Sequence, residues 1–534
     1  MRIIFVILFF SLNLSAQIIP QARIDSLKSD ISFLGDDTLL GRATGSPGLQ
    51  NAASYISDKL KTFSLTPKGN NNSWFQKVPM HGTRVRTNST LQIYYDNKNQ
   101  YLFYGKDFLV IKSGGEVYNP GLLPAVFVGY GIQAPEFDYD DYRDLDVSGK
   151  IVVFFDGEPA LDSPGFFEGK ENTIYALAES KIRTAIAQGA AGSIIIYNTK
   201  TDDNDNWNKK ISEYAFEEVT LPGRVTGHVA LYLNSEKADL LLQGSGKSYA
   251  DLLLQKPGKG FKGLELKTKI TFNGAFKRRE FKSDNIVALL EGRDALLKNK
   301  YLLIGAHYDH LGTGLPVDGD SVYNGVMDNA VGCAVTLELA RMFSRADFRP
   351  KKSLLFLFFT GEEKGLLGSE YYVRHPQVDL ENSIAMINID GLSAWGKFQS
   401  LIAVGGTYSQ LGQSLQNVAE EYGLNLETLQ AGSVDLPFSK SDQISFAQAG
   451  VPALQVIEGY QYLDMTREQA IQRTQHWFDA YYHSPYDDLN QDIDFEAIAR
   501  YTNFMFIFIN RLLNEQKDPE WFSDSPYQRT QKVP

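Results

Sequence analysis

Two of the seven histidines, His307 and His483, lie in segments dense with carboxylates. His307 ends the apolar run "YLLIGAH" and is followed by Asp309 and His310. Three other apolar runs also end on acids: "SLLFLFFTGEE" on Glu362 and Glu363, "SIAMINID" on Asp390, and "ALQVIE" on Glu458. Asp328 sits in the Gly-flanked turn "NGVMDNAVG", and His483 in the loop "AYYHSPYDDL". Imidazole and carboxylate are ordinary zinc ligands, and a catalytic site keeps one position open for water. Two ions held close together call for a bridging carboxylate. The chemistry these residues could do is therefore hydrolysis assisted by two Zn2+ ions. Imidazole disfavours Mg or Ca as the occupant. With Cys333 as the single cysteine, a Cys-rich structural zinc site and an intrachain disulfide are both excluded.

Each residue has a plainer reading when taken singly. His307 could be a satisfied core histidine, Asp328 a helix N-cap, and Glu362-Glu363 a solvated turn pair. Asp390 could start a turn, and His483 could simply precede Pro485. Together those readings would need five polar accidents around one crevice. His310, His375 and His476 are read as structural or surface residues, and Cys333 as a small buried apolar one.

The runs that carry these residues are continuously apolar, which implies strands buried on both faces. Helix-length segments separate them: "VGCAVTLELARMFSR", "GLLGSEYYVRH" and "YSQLGQSLQNVAEEYG". Strands alternating with helices predict an α/β fold with a mixed, largely parallel sheet flanked by helices. Such sheets bind ligands at the carboxyl ends of their strands, where the acids above would gather. Between about Gly82 and Lys277 the texture changes to short alternating strands separated by Gly, Asn, Asp and Pro. The segments "LLGRATGSPG" and "LQNAASYISDKLKTF" precede it, the latter helical, and the helical "DFEAIARYTNFMFIFINRLL" closes the chain. The expected organisation is a signal peptide over 1–17, an N-terminal part of the catalytic domain over 18–110, and a β-rich insert over 115–260. The main catalytic domain follows over 283–515, and a polar tail over 516–534.

Met1-Arg2, the apolar run Ile3 to Phe10 and the small residues near Ala16 read as a secretory signal. Export to the periplasm or the extracellular space is expected. The run is too short for a comfortable membrane span, and no stable span is expected elsewhere. A net charge of −12 without a basic stripe argues against nucleic acid as a partner.

At "HYDHLG", "MDNAVG", "GEEKGLLGS", "INIDG" and "YYHSPYDD", in that order, the chain resembles metallopeptidase family twenty-eight. That family includes secreted leucyl-type aminopeptidases and glutamate carboxypeptidase-like enzymes. The stretches "VFVGYGIQAPEFDYDDYRDLDVSGKIVVFFDGEP" and "AIAQGAAGSIIIYN" resemble a protease-associated domain inserted in such peptidases. The resemblance implies the zinc-peptidase (phosphorylase/hydrolase-like) fold and a set of roles. Asp328 would bridge two zinc ions; His307 and Asp390 would complete one site, and Glu363 and His483 the other. Asp309 would stand behind His307 and fix its tautomer. Glu362 would be the general base, and Tyr482 would donate to the oxyanion. Met327, where many relatives carry a small or acidic residue, removes no ligand. The implied activity is a secreted aminopeptidase acting on peptides with a free N-terminus, Glu458 being one candidate to hold the substrate's amino group. A carboxypeptidase or dipeptidase, a one-zinc glutaminyl cyclase and a non-catalytic receptor-like binding protein on the same scaffold are the alternatives.

Overall fold

The computed structural model describes residues 20–113, 121–159, 167, 173–197, 205–255, 261–345, 349–427 and 438–528. The expected signal segment and the last residues of the tail, 529–534, lie outside the described residues. A ten-stranded mixed sheet forms the centre of the larger unit. Its middle strand, Tyr301–His307, runs parallel to Ser353–Phe359 on one side and to Ser383–Asn388 on the other. Ala453–Glu458 continues the parallel set beyond Ser383–Asn388. The flanking strands Phe276–Leu290 and Ser400–Val404 are antiparallel to their inner neighbours.

Side chains alternate across a strand, so a sheet covered on both faces needs apolar residues at every position. Leu302, Ile304 and Ala306 pack into one core, with Leu354, Phe356 and Phe358 beside them. Leu303, Leu355, Leu357 and Phe359 pack into the other. Helices Ile24–Leu34, Pro47–Thr62, Val331–Phe343 and Phe495–Asn514 cover the first face. The second is covered by Leu367–Arg374 and Gln443–Gln448. Val331–Phe343 is buried almost all round, Cys333 included, as befits a helix wedged between the sheet and other helices. Parallel pairing brings the ends of the inner strands to one edge: His307 is in register with Phe359, so Thr360 to Glu363 emerge directly beside it.

A second, eight-stranded sheet builds the β-rich module. The unit read as 115–260 extends further at the level of strand pairing. Thr90–Tyr95, Lys98–Phe103 and Phe108–Lys112 join this sheet, as does Leu264–Asn273. The first three therefore leave the 18–110 portion. The alternating pattern of "LELKTKITFN" is the physical reason: it pairs a half-buried strand with both Thr90–Tyr95 and Leu123–Phe127. The module is carried on a long antiparallel ribbon in which Phe75–Val85 pairs with Phe276–Leu290, from Ile286↔Phe75 to Phe276↔Val85. The start of the expected polar tail docks instead: Trp521 donates to the Gly450 carbonyl, and Tyr527 packs on Phe438 and Tyr408. Among the described residues no helix is long and apolar enough to cross a membrane.

Candidate metal centre

At the carboxyl edge of the parallel strands the structure brings His307, Asp328, Glu363, Asp390 and His483 together. His307 Nε2 lies 3.1 Å from Asp328 Oδ1 and 3.4 Å from Asp390 Oδ1. His483 Nε2 lies 3.1 Å from Glu363 Oε2 and 3.5 Å from Asp328 Oδ2. Asp328 thus presents one oxygen to each imidazole. One donor atom each from His307, Asp328 and Glu363 lie within 4.8 Å of one another.

The chain pays particular attention to Asp328. It lies in an irregular turn, Val326–Ala330, entered through Gly325 at φ +63. A Cβ on Gly325 would meet the Asp328 carbonyl at 2.2 Å and the His310 ring at 2.4 Å, so only glycine fits. Asp487 accepts hydrogen bonds from the amides of Met327 at 2.8 Å and Asp328 at 3.0 Å. The loop that carries His483 therefore also fixes the Asp328 turn. His483 itself holds φ +53, a left-handed backbone that few non-glycine residues adopt.

The remaining carboxylates are braced individually. Ser441 Oγ donates to Asp390 Oδ2 at 2.6 Å, and Asn388 Nδ2 donates to Ser441 Oγ at 2.8 Å. His310 Nδ1 faces Glu363 Oε1 at 2.6 Å from a fully buried position. His310, read from sequence as structural or surface, thus belongs to the site. Its signal was present in "HYDH", three residues past His307 on the same strand end.

Two expectations are corrected. It is the Asp309 carbonyl, not its carboxylate, that faces His307 Nδ1, at 3.2 Å. The carboxylate turns away to accept from Thr44 Oγ1 at 2.8 Å and from the Glu362 amide at 3.2 Å, bracing the next loop. Glu458 does not face a substrate: its carboxylate is buried and accepts from the Ser393 and Ala394 amides at 2.6 and 3.2 Å. Tyr482 stacks on the His483 ring at 3.8 Å and stays 41% exposed.

Arg42, from "LLGRATGSPG", is the largest contributor that the sequence reading passed over. Its buried guanidinium donates to the carbonyls of Tyr308 at 2.8 Å, Asn324 at 2.7 Å and Gly325 at 2.9 Å, and also to Leu34. It joins the residue after His307 to the approach to Asp328. Arg42→Met would strand these carbonyls in a buried place, at about 1–3 kcal/mol for each one left unsatisfied. The variant is expected to lose at least about 3 kcal/mol of stability in denaturant titration; a wild-type midpoint would contradict this account.

The electrostatics are those of a crowded anionic cluster. Burial alone would push His307 down, but Glu362, Asp390 and Asp328 hold it well above its ordinary value. Burial raises Glu362 well above the carboxylate range; His307 opposes this and Glu363 adds to it. Desolvation would raise Glu363 too, yet His483 and His310 hold it well below that range. Four acids, Asp328, Glu362, Glu363 and Asp390, are thus held together against their own repulsion with the help of three imidazoles, His307, His310 and His483. His483 Nε2 is buried and points at two carboxylates without hydrogen-bonding geometry to either. An orphaned imidazole nitrogen among carboxylate oxygens fits a divalent cation of the zinc type.

One pH effect follows for the metal-free protein. Burial opposes it, but Glu363 and Asp328 raise His483 from 6.5 to about 10. A raised folded-state value gives stability that is complete below the unfolded value and lost as pH rises through the folded one. The metal-free melting temperature is therefore expected to fall between pH 6.5 and about 10, and this slope is expected to weaken in His483→Gln. A metal-free midpoint that climbs across that window would contradict the assignment.

Residues 285–509, which contain all five clustered residues and Glu362, match the model of peptidase family M28. This segment belongs to peptidase family M28. The chain is 41% identical over 105 residues to a "Probable zinc metalloprotease" of Pyrenophora tritici-repentis (strain Pt-1C-BFP), covering 20% of this chain and 23% of that protein. Aminopeptidase YwaD of Bacillus subtilis (strain 168) is 26% identical over 243 residues, 45% of this chain and 46% of that one. The chain spans less than half the length of either curated relative. Among solved structures, the aminopeptidase from Aneurinibacillus sp. strain AM-1 superposes with a TM-score of 0.57 at 21% identity, covering 94% of this chain and 97% of that one. That likeness establishes a shared mixed α/β fold reaching well beyond the M28 segment.

Proposed function

We propose that this chain is a di-zinc aminopeptidase that removes N-terminal residues from peptides. The observation that carries the reading is Asp328, with one carboxylate oxygen turned to His307 and the other to His483. His307 and Asp390 would hold one zinc and Glu363 and His483 the other, with Asp328 shared. The names of the relatives favour zinc and aminopeptidase chemistry. When bound, zinc would supply a Lewis acid and lower the pKa of water. Glu362 takes a proton from the attacking water and returns it to the leaving amine; its raised affinity for protons suits both tasks. The Tyr482 phenol, protonated at neutral pH as phenols ordinarily are, donates to the developing oxyanion. The N-terminal "MRIIFVILFF" would direct export, and the module's sheet is the part that resembles a protease-associated domain.

The test combines metal analysis with two substrate sets: aminoacyl-anilides, and peptides blocked at the N-terminus but free at the C-terminus. Two zincs per chain and hydrolysis confined to free N-termini are expected. Cleavage of only the blocked set would replace this reading with a carboxypeptidase, and one zinc per chain would remove the paired-ion mechanism.

A further inference from the structure

Between the helix Asp205–Glu213 and the strand Val229–Asn234, the chain leaves the β-rich module and crosses to the catalytic unit. Glu218–Thr220 adds itself to the edge of the ten-stranded sheet, pairing antiparallel with Phe75–Val85. Several of its contacts fall beside the candidate site, while Glu218 also keeps a tie to the module by accepting from the Ser113 amide at 3.0 Å. Val219 and Leu221 pack with Val78, Met80 and Leu367, the residue that starts the helix after the Glu362-Glu363 turn. Phe216 lies edge-on to Tyr323 at 5.0 Å, and the Lys364 ammonium sits 5.3 Å from its ring centre. Arg224 donates from Nε to Glu370 at 3.1 Å and from a terminal nitrogen to the Gly365 carbonyl at 3.3 Å. The turn so gripped closes on Glu362 itself, since the Gly365 and Leu366 amides both donate to the Glu362 carbonyl at 2.9 Å.

A second line runs to the other side of the same loop. Glu217 forms a two-point pair with Arg279, at 2.8 and 2.6 Å. Arg279 also donates to the carbonyls of Gly45 and Thr44 at 3.2 and 3.3 Å. Thr44 in turn donates to Asp309, whose carboxylate holds the Glu362 amide. Glu362 is thus approached from both ends of its turn by one nine-residue stretch, Phe216–Arg224, that the module supplies.

We propose that Phe216–Arg224 is a positioning strap for the Glu362-Glu363 turn, with Arg224 as its main anchor, so that the module sets the aim of the general base. The inference rests on the reading of Glu362 as that base. A planar guanidinium can hold Glu370 and Gly365 at once, because its donors lie in a fixed fork; an ammonium is a single point of attachment. The Arg224 side chain is 44% exposed, so its loss opens no cavity in the core, and the buried Glu370 keeps Arg374 as a second cationic partner at 2.7 Å.

The experiment compares Arg224→Ala and Arg224→Lys with wild type in the full-length, zinc-loaded protein. It measures kcat and KM on aminoacyl-anilides, zinc per chain, and amide hydrogen exchange in peptides spanning 361–370. In Arg224→Ala we expect kcat to fall about tenfold, as a misplaced base would require, with KM and zinc content unchanged. Exchange at Gly365 to Leu367 should rise about tenfold, equivalent to about 1.4 kcal/mol of local opening. Arg224→Lys should recover only part of either loss. Unchanged kcat and exchange in Arg224→Ala, a loss confined to KM, a loss that tracks zinc content, or full rescue by lysine would each overturn the proposal. Should wild type cleave no peptide at all, the aminopeptidase reading fails by that result alone. The exchange comparison then still decides whether the strap holds the turn.

Discussion

Glu362→Gln is expected to bind zinc as wild type does, to melt at or above the wild-type temperature, and to lose turnover by about 10²–10⁴-fold, the range set by removing a positioned general base. The amide keeps the shape of the carboxyl, and the hydrogen bond that holds the loop, from the Glu362 backbone amide to Asp309, does not involve the side chain. Only the capacity to accept and return a proton is lost. Stability is not expected to suffer, because desolvation of the native carboxyl, with Glu363 adding to it and His307 opposing it, already disfavours its charge. Steady-state kinetics with metal analysis on one preparation checks this. A variant with near-native kcat would remove Glu362 from the mechanism, whereas a variant lacking zinc would show that it serves the ions rather than the proton.

The second large effect is expected at Asp328. Removing an outer partner of a metal ligand typically costs about 10–100-fold in affinity; Asp328→Ala removes an oxygen facing each imidazole and should exceed that. Zinc at about 1,000 times its dissociation constant stabilises a protein by about 4 kcal/mol, and this increment should vanish in the variant. Zinc titrations followed by thermal melts would show it. An Asp328→Ala protein that still takes up two zinc ions and gains the wild-type increment in melting temperature would dismantle the shared-carboxylate arrangement.

Much of the arrangement could be read from the chain because the signals were local. Strands buried on both faces write themselves as continuous apolar runs, and their polar ends name the edge where a site would form. His307, Glu363 and Asp390 were legible in this way, whereas Asp328 and His483 were read from a Gly-flanked turn and a carboxylate-rich loop. What escaped were groups whose partners are distant in sequence. Arg42 binds main-chain carbonyls at Tyr308, Asn324 and Gly325, and carbonyls have no residue type to betray them. Asp309 looked like a partner for the His307 ring because it stands two residues away, yet the turn of the backbone gives that place to its carbonyl. The helix Arg467–Ala480, which leads into Tyr482 and His483, went unread for another reason: Ala470 is its only buried residue, so it carries no apolar stripe. The outer strands of the module fell outside the span drawn from sequence because hairpin strands with one wet face alternate, and such a pattern marks a strand without naming the sheet it joins.

The antiparallel ribbon has a consequence for how such a chain could be rearranged. Val85 and Phe276 face each other as a paired rung, so everything between them enters and leaves through one narrow stem. A short reverse turn joining that rung would excise the whole appendage while leaving the larger sheet continuous, and the same rung would accept a foreign graft. The excised protein would lack its own edge strand, Glu218–Thr220, and would expose the flank of Phe75–Val85 as an unpaired backbone ready to recruit another chain.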